Sequence, residues 1–110
     1  MSRVYVVGVG LTKFLKPREG NPDYPEYGKL AIQRALRDAN LPFGSMQIAA
    51  AGYVYGDSTS GQRVIYGEGM TGIPIYNVNN NCSSGSAALM LVYNYIQSQM
   101  YDCGLKIPKK

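Results

Sequence analysis

The sequence predicts an α/β domain with a mainly parallel sheet, and three observations carry that prediction. Apolar runs at Val4-Tyr5-Val6-Val7 and over residues 48–55 are unbroken, the pattern of strands buried on both faces. Two other segments repeat their apolar residues at helical spacing. The order reads β-α-β-loop-β-α, with no internal repeat or low-complexity tract.

Taken in chain order, the first strand is residues 4–7, closed by Gly8. A connection containing Pro17, Gly20 and Pro22 follows, and then Asp23 and Glu26 stand at N-cap and N3 spacing. Pro25 falls in the first turn, where its missing N–H costs little. Tyr27, Ala31, Ala35 and Ala39, flanked by Leu30, Ile32 and Leu36, form a stripe opposite Lys29, Arg34, Arg37 and Asp38. Asn40 and Pro42 stop this helix, which is expected to cover one sheet face. The second strand, residues 48–55, ends at Gly56-Asp57. Residues 58–72 are rich in Gly and Ser, with a short helix suggested around residues 62–66. A third strand spans residues 73–79, with Pro74 at its start and Ile75, Asn77 and Asn79 on one face. Residues 83–100 are apolar nearly all round, as expected of a helix buried in a large core.

A chain of 110 residues supports one modest domain. With 45% hydrophobic and 16% charged residues and a mean hydropathy of −0.17, it has the composition of a folded globule. The net charge of +4 is concentrated at the end: without Lys106, Lys109 and Lys110, eight basic residues face seven acidic ones. No basic face for nucleic acid is expected from that distribution. Histidine is absent, which excludes imidazole acid–base work, Ser-His-Asp and Cys-His pairs and the commonest zinc ligand from within this chain. No metal site is expected. Two cysteines, Cys82 and Cys103, do not make a secreted disulfide framework, and no stretch approaches the length of a membrane span.

The chemistry concentrates between Asn77 and Ala88, a strand-to-helix turn with Cys82 at the helix start. A thiol there meets unpaired N–H groups and the positive end of the helix dipole, which favour the thiolate. The same N–H groups can hold an oxyanion formed on a carbonyl under attack. The plain alternative is that Cys82 is a small buried hydrophobe. Cys103 has no such placement and reads as structural. Gly8-Val9-Gly10 opens a dinucleotide-type glycine motif, but Lys13 stands at its third glycine and Pro17 follows. Gly56 and Gly61 have P-loop spacing without the required Lys and Ser/Thr. The Asn81-Cys82-Ser83 sequon reads as chance.

Residues 6–14, 52–58, 61–63 and 70–74, with the run from Asn77 to Ala88, resemble the N-terminal part of the thiolases of the sterol carrier protein x type. The resemblance implies an incomplete portion of a thiolase-like layered α/β/α domain over residues 1–104, with residues 105–110 a divergent basic tail. It implies that Cys82 is the nucleophile, taking an acyl group from a 3-oxoacyl-CoA as a thioester and passing it to coenzyme A. The backbone N–H of Cys82 would belong to the oxyanion hole. Ser83 and Ser84 stand where Ala/Ser-Thr is commoner. Coenzyme A enters as a co-substrate, with no bound cofactor. Family members continue into another apolar strand and then supply catalytic histidines and a second cysteine; here that strand is expected to be missing.

By the same resemblance, the expected function is acyl transfer in fatty-acid β-oxidation, with this chain lacking turnover by itself. The alternatives are a non-catalytic fragment that dimerises with itself or a full-length thiolase, and a lipid- or acyl-CoA-binding remnant. The family implies a peroxisomal setting. Pro108-Lys109-Lys110 is not a Ser-Lys-Leu-type address, so a copy expressed alone is expected to stay cytoplasmic. Three apolar strands with only two clear helices also lead to an expectation of self-association or molten behaviour in isolation.

Overall fold

The structure is a computed structural model that describes residues 3–16, 18 and 20–108. Its first helix, α1 (Tyr24–Ala39), starts as the sequence predicts. The Asp23 carboxylate accepts the Tyr24 N–H at 2.7 Å, and Pro25 and Glu26 occupy the first turn. Asn40 ends it in the left-handed conformation at φ 55°, its N–H turned back onto helix carbonyls. A short 3-10 turn over Phe43–Ser45 leads into β1 (Ile48–Gly52). Then come α2 (Ser60–Tyr66), β2 (Ile75–Val78), α3 (Ser84–Gln97) and β3 (Gly104–Pro108).

The strands form one sheet in the order β2-β1-β3, parallel throughout, with Ala50 opposite both Tyr76 and Lys106. Central β1 is buried at every position, and its Ile-Ala-Ala-Ala-Gly sequence explains how helices approach both faces. Alternation divides the core. Ala49 joins Leu105, Ile107, Ile32, Leu36, Val64 and Ile65 on the α1–α2 side. Ile48 and Ala50 join Ala88 and Val92 beneath α3. Gly52 continues the second face, and a Cβ there would collide with the Ser84 carbonyl carbon and oxygen. The absence of that atom lets the first turn of α3 sit directly on the end of β1.

Three expectations need correction. Residues 4–7 form no strand: Tyr5, Val6 and Val7 are 61–74% exposed, and the segment lies along α1 instead. Gly8 and Gly10 fit against the Ala31, Ala35 and Ala39 backbone, the Val9 N–H reaches Asp38 at 2.9 Å, and Arg34 donates to the Leu11 carbonyl at 2.6 Å. The alanine stripe of α1 therefore faces this segment, while Ile32 and Leu36 face the sheet. Arg34 and Asp38, which the sequence places opposite the alanine stripe, hold the segment down.

The second correction concerns the chain end. The strand expected to be missing is present as β3, so residues 105–108 belong to the sheet. Leu105 and Ile107 are buried on one face, while Gly104 and Lys106 point to the other. Lysines and a proline hid this period-two pattern. The third correction is one of length: residues 48–55, 73–79 and 83–100 shorten to the bounds of β1, β2 and α3.

The glycine-rich segment after β1 is ordered by unexpected partners. The Tyr53 hydroxyl donates to the Asp57 carbonyl at 3.1 Å and accepts the Ser60 N–H at 3.3 Å, and Ser60 Oγ donates to Asp57 at 2.7 Å. The residue before α2, Thr59, has φ 61° and gives no side-chain cap. Asn77 of β2 caps in its place: its Oδ1 accepts the Gly61 N–H at 2.7 Å and its Nδ2 donates to Gln62 Oε1 at 2.7 Å. Asn77→Ala is expected to cost about 1–2 kcal/mol in urea unfolding, the loss of a helix cap that leaves a partly buried donor unpaired.

Candidate functional site

Chain leaving β2 reaches α3 through Asn79, Asn80, Asn81, Cys82 and Ser83, and each polar group here has a local task. Asn81 adopts φ 53°, a left-handed conformation asparagine tolerates, and its N–H is held by Asn79 Oδ1 at 3.0 Å. Ser84, 4% exposed, accepts the Asn80 N–H at 2.8 Å and donates to the Asn81 carbonyl at 2.7 Å. Ser83 Oγ donates to the Asn80 carbonyl at 2.7 Å. Two successive tight turns result, and they fix the backbone on either side of Cys82.

Cys82 itself is exposed, its thiol facing Asn81 Oδ1 at 4.0 Å. The alternative of a buried small hydrophobe is thereby excluded. It sits one residue before Ser83, the N-cap of α3, so the predicted strand–cysteine–helix arrangement is present. The N–H groups of Ser83 and Ser84 are occupied by the Asn80 and Asn81 carbonyls, each at 3.1 Å. These two donors, which the sequence offered for an oxyanion, are therefore already satisfied. Two surface depressions of about 640 and 390 Å³ lie elsewhere, the first between the end of α1 and Glu68, the second beside Tyr66 and Ile75. Cys82 borders neither.

Cys103 lies at the opposite end of the sheet. It precedes Gly104, which pairs with Ile48 at the start of β1, whereas Cys82 follows Val78, which pairs with Gly52 at its end. Its thiol is half-buried, 3.9 Å from Met46 Sδ, and burial together with neighbouring Asp102 pushes its pKa up. Gln47 Oε1 accepts the Asp102 and Cys103 N–H groups at 2.6 and 3.2 Å, which fixes this corner. The structural role expected for Cys103 agrees with this packing. Iodoacetamide near neutral pH is expected to label Cys82 faster than Cys103, by about tenfold, because exposure and thiolate supply both disfavour Cys103. Equal rates in the folded chain would contradict this arrangement.

Sequence reasoning missed three residues that shape the site. Ser84 was noted only as a departure from a motif, yet it ties Asn80 to Asn81. Period two puts Asn77 on the correct strand face, but the short helix suggested at residues 62–66 carries no sign that Asn77 caps it. Lys106 was assigned to a tail; it lies on the sheet face beneath α3, where its Nζ approaches Gly85. Among the described residues no group of three or more His, Cys, Asp or Glu side chains is placed to hold a metal, and no helix is long and apolar enough to cross a membrane.

Comparison with known proteins adds a lineage to this geometry. No family model matches the chain. It is 57% identical over 107 residues to sterol carrier protein 2 of Bos taurus, covering 96% of this chain and 20% of that protein. It is 33% identical over 107 residues to the benzoylsuccinyl-CoA thiolase subunit BbsB of Thauera aromatica, covering 96% of this chain and 27% of that one. The chain thus spans about a fifth to a quarter of the length of these relatives. Among solved structures, 3-oxoacyl-[acyl-carrier-protein] synthase III of Aquifex aeolicus VF5 superimposes with a TM-score of 0.63 at 20% identity, over 73% of this chain and 27% of that one. That likeness identifies the fold as thiolase-like.

Proposed function

We propose, from the premise that this chain belongs to the family of the sterol carrier protein x-type thiolases, that it binds acyl-CoA or a related lipid and accepts the acyl group at Cys82. The binding half of this reading draws on the sterol carrier name of its relative. The covalent half rests on one observation, the exposed Cys82 thiol held at the mouth of α3 by the Asn80–Ser84 turns. In the step, the Cys82 sulfur bonds to the acyl carbonyl carbon and the carbon–sulfur bond of the acyl-CoA breaks. The thiol proton leaves with coenzyme A. By the family resemblance, the backbone N–H of Cys82 belongs to the oxyanion hole in this proposal. Coenzyme A is the acceptor that reverses the step, and dimerisation with another thiolase chain in a peroxisomal setting belongs to the same proposal.

Incubation with octanoyl-CoA followed by intact-mass measurement is expected to show one acyl group per chain, on the peptide containing Cys82, and none in Cys82→Ala. A second reading, non-covalent lipid binding alone, is favoured by the sterol carrier kinship. It replaces the first if octanoyl-CoA binds the wild-type chain and Cys82→Ala with equal affinity and no mass is gained.

A further inference from the structure

Residues 4–7, Val-Tyr-Val-Val, have the composition of a buried strand, yet Tyr5, Val6 and Val7 stand exposed beside α1. Gly8 meets Ala35 and Ala39, and Gly10 meets Ala31 and Ala35. The segment therefore runs antiparallel to α1, the direction of a strand that feeds a crossover helix. The handedness of such a crossover decides where that strand belongs. Helices α1 and α2 cover the same sheet face, through Ile32 and Leu36 of one and Val64 and Ile65 of the other. Over that face α2 carries the chain from β1 to its parallel neighbour β2. A right-handed crossover through α1 must step in the same sense, so its first strand falls on the flank of β1 away from β2. That flank is held by β3.

As an occupant β3 is weak. Gly104, Lys106 and Pro108 alternate along it, all residue types that strands disfavour. Lys106 is half-buried, and burial holds its pKa below the usual lysine range, the mark of a charge drawn partly out of water. We propose that residues 4–7 and Gly104–Pro108 compete for this flank of β1. In the second state residues 4–7 pair with β1 and Gly104–Pro108 is released. That exchange buries Val and Tyr side chains now in solvent and returns Lys106 to water, while Leu105 and Ile107 leave the core. The two states thus trade similar apolar areas, the condition for a two-state element. This device is independent of the acyl-transfer reading.

Residue-resolved amide hydrogen exchange on the full chain tests the competition. Ile107→Asp weakens β3 at a buried position, and residues 5–7 are then expected to gain about tenfold or more in protection as they take the vacated flank. Adding Val6→Pro, which removes a strand donor, should abolish that gain. Val6→Pro alone alters an exposed residue outside every helix and strand, so it leaves the described state intact and removes only its competitor. Exchange of the β3 amides should then slow by about threefold or more, because one route of opening is closed. Residues 5–7 left unprotected in a folded Ile107→Asp chain overturn the proposal, as does a gain that survives in the double variant. Should Ile107→Asp fail to fold, Val6→Pro decides alone: β3 amides exchanging at the wild-type rate would show that residues 4–7 do not contest the flank.

Discussion

Mixed with a 3-oxoacyl-CoA and coenzyme A, the purified 110-residue chain is expected to release no detectable shortened acyl-CoA. The cleavage needs a base to activate the thiol and an acid to protonate the departing enolate, each general acid–base step contributing about 10²–10⁴-fold. No histidine exists in the sequence to do either. The second thiol, Cys103, is packed against Met46 at the far end of the sheet, with α3, 14 residues or about 21 Å long, between the two cysteines. It cannot reach a substrate on Cys82. A deficit of about 10⁴-fold or more relative to a site with both groups follows, measured as acetyl- or propionyl-CoA by chromatography. Turnover by the purified chain at ordinary enzymatic rates would mean that some other group supplies the proton, and this account of the site would fall with it.

Gly52→Val is expected to be the most damaging single substitution near the site. The new side chain would drive into the Ser84 carbonyl and the Gly85 N–H, backbone atoms that cannot swing aside as a flexible side chain can. Overpacking of this kind costs about 3 kcal/mol, a large part of the roughly 5–15 kcal/mol that holds a domain of this size together. Because Gly52 seats α3 on β1, the same change should alter the iodoacetamide rate at Cys82. Gly44→Ala is the control: nothing lies within 4 Å of its Cβ position, so stability should move by less than about 0.5 kcal/mol. Urea unfolding of the two variants beside wild type decides the matter, and a Gly52→Val chain as stable as wild type would show that α3 does not rest on β1 as described.

The boundaries of α1 were legible because its signals are local. Asp23, Pro25 and Asn40 act on backbone groups within a turn of themselves, so spacing alone locates them. The approach of a strand to a cysteine at a helix start was legible for the same reason. Strand membership was not. Residues 4–7 have the composition of a buried strand, yet the described sheet is closed around β1 by β2 and β3, and Gly8 and Gly10 let the segment settle on the alanines of α1. The local apolar pattern of residues 4–7 does not specify which surface they meet. Tyr5, Val6 and Val7 there, with Leu89 and Met90 of α3, leave apolar side chains exposed.

What the sequence by itself determined is the α/β class, the capped first helix and the placement of Cys82 between a strand and a helix, because periodicity and caps are properties of neighbouring residues. Only the tertiary structure decided that Gly104–Pro108 is a strand, that Asn77 caps a helix 16 residues before it, and that Lys106 lies on the sheet face beneath α3 with its Nζ near Gly85. Each of those depends on parallel pairing between segments far apart in the chain. That pairing is set by which small residues let helices and strands come together, here the alanines of β1, Gly52 and Gly85. Such fit between distant surfaces leaves no mark on the local spacing of either partner.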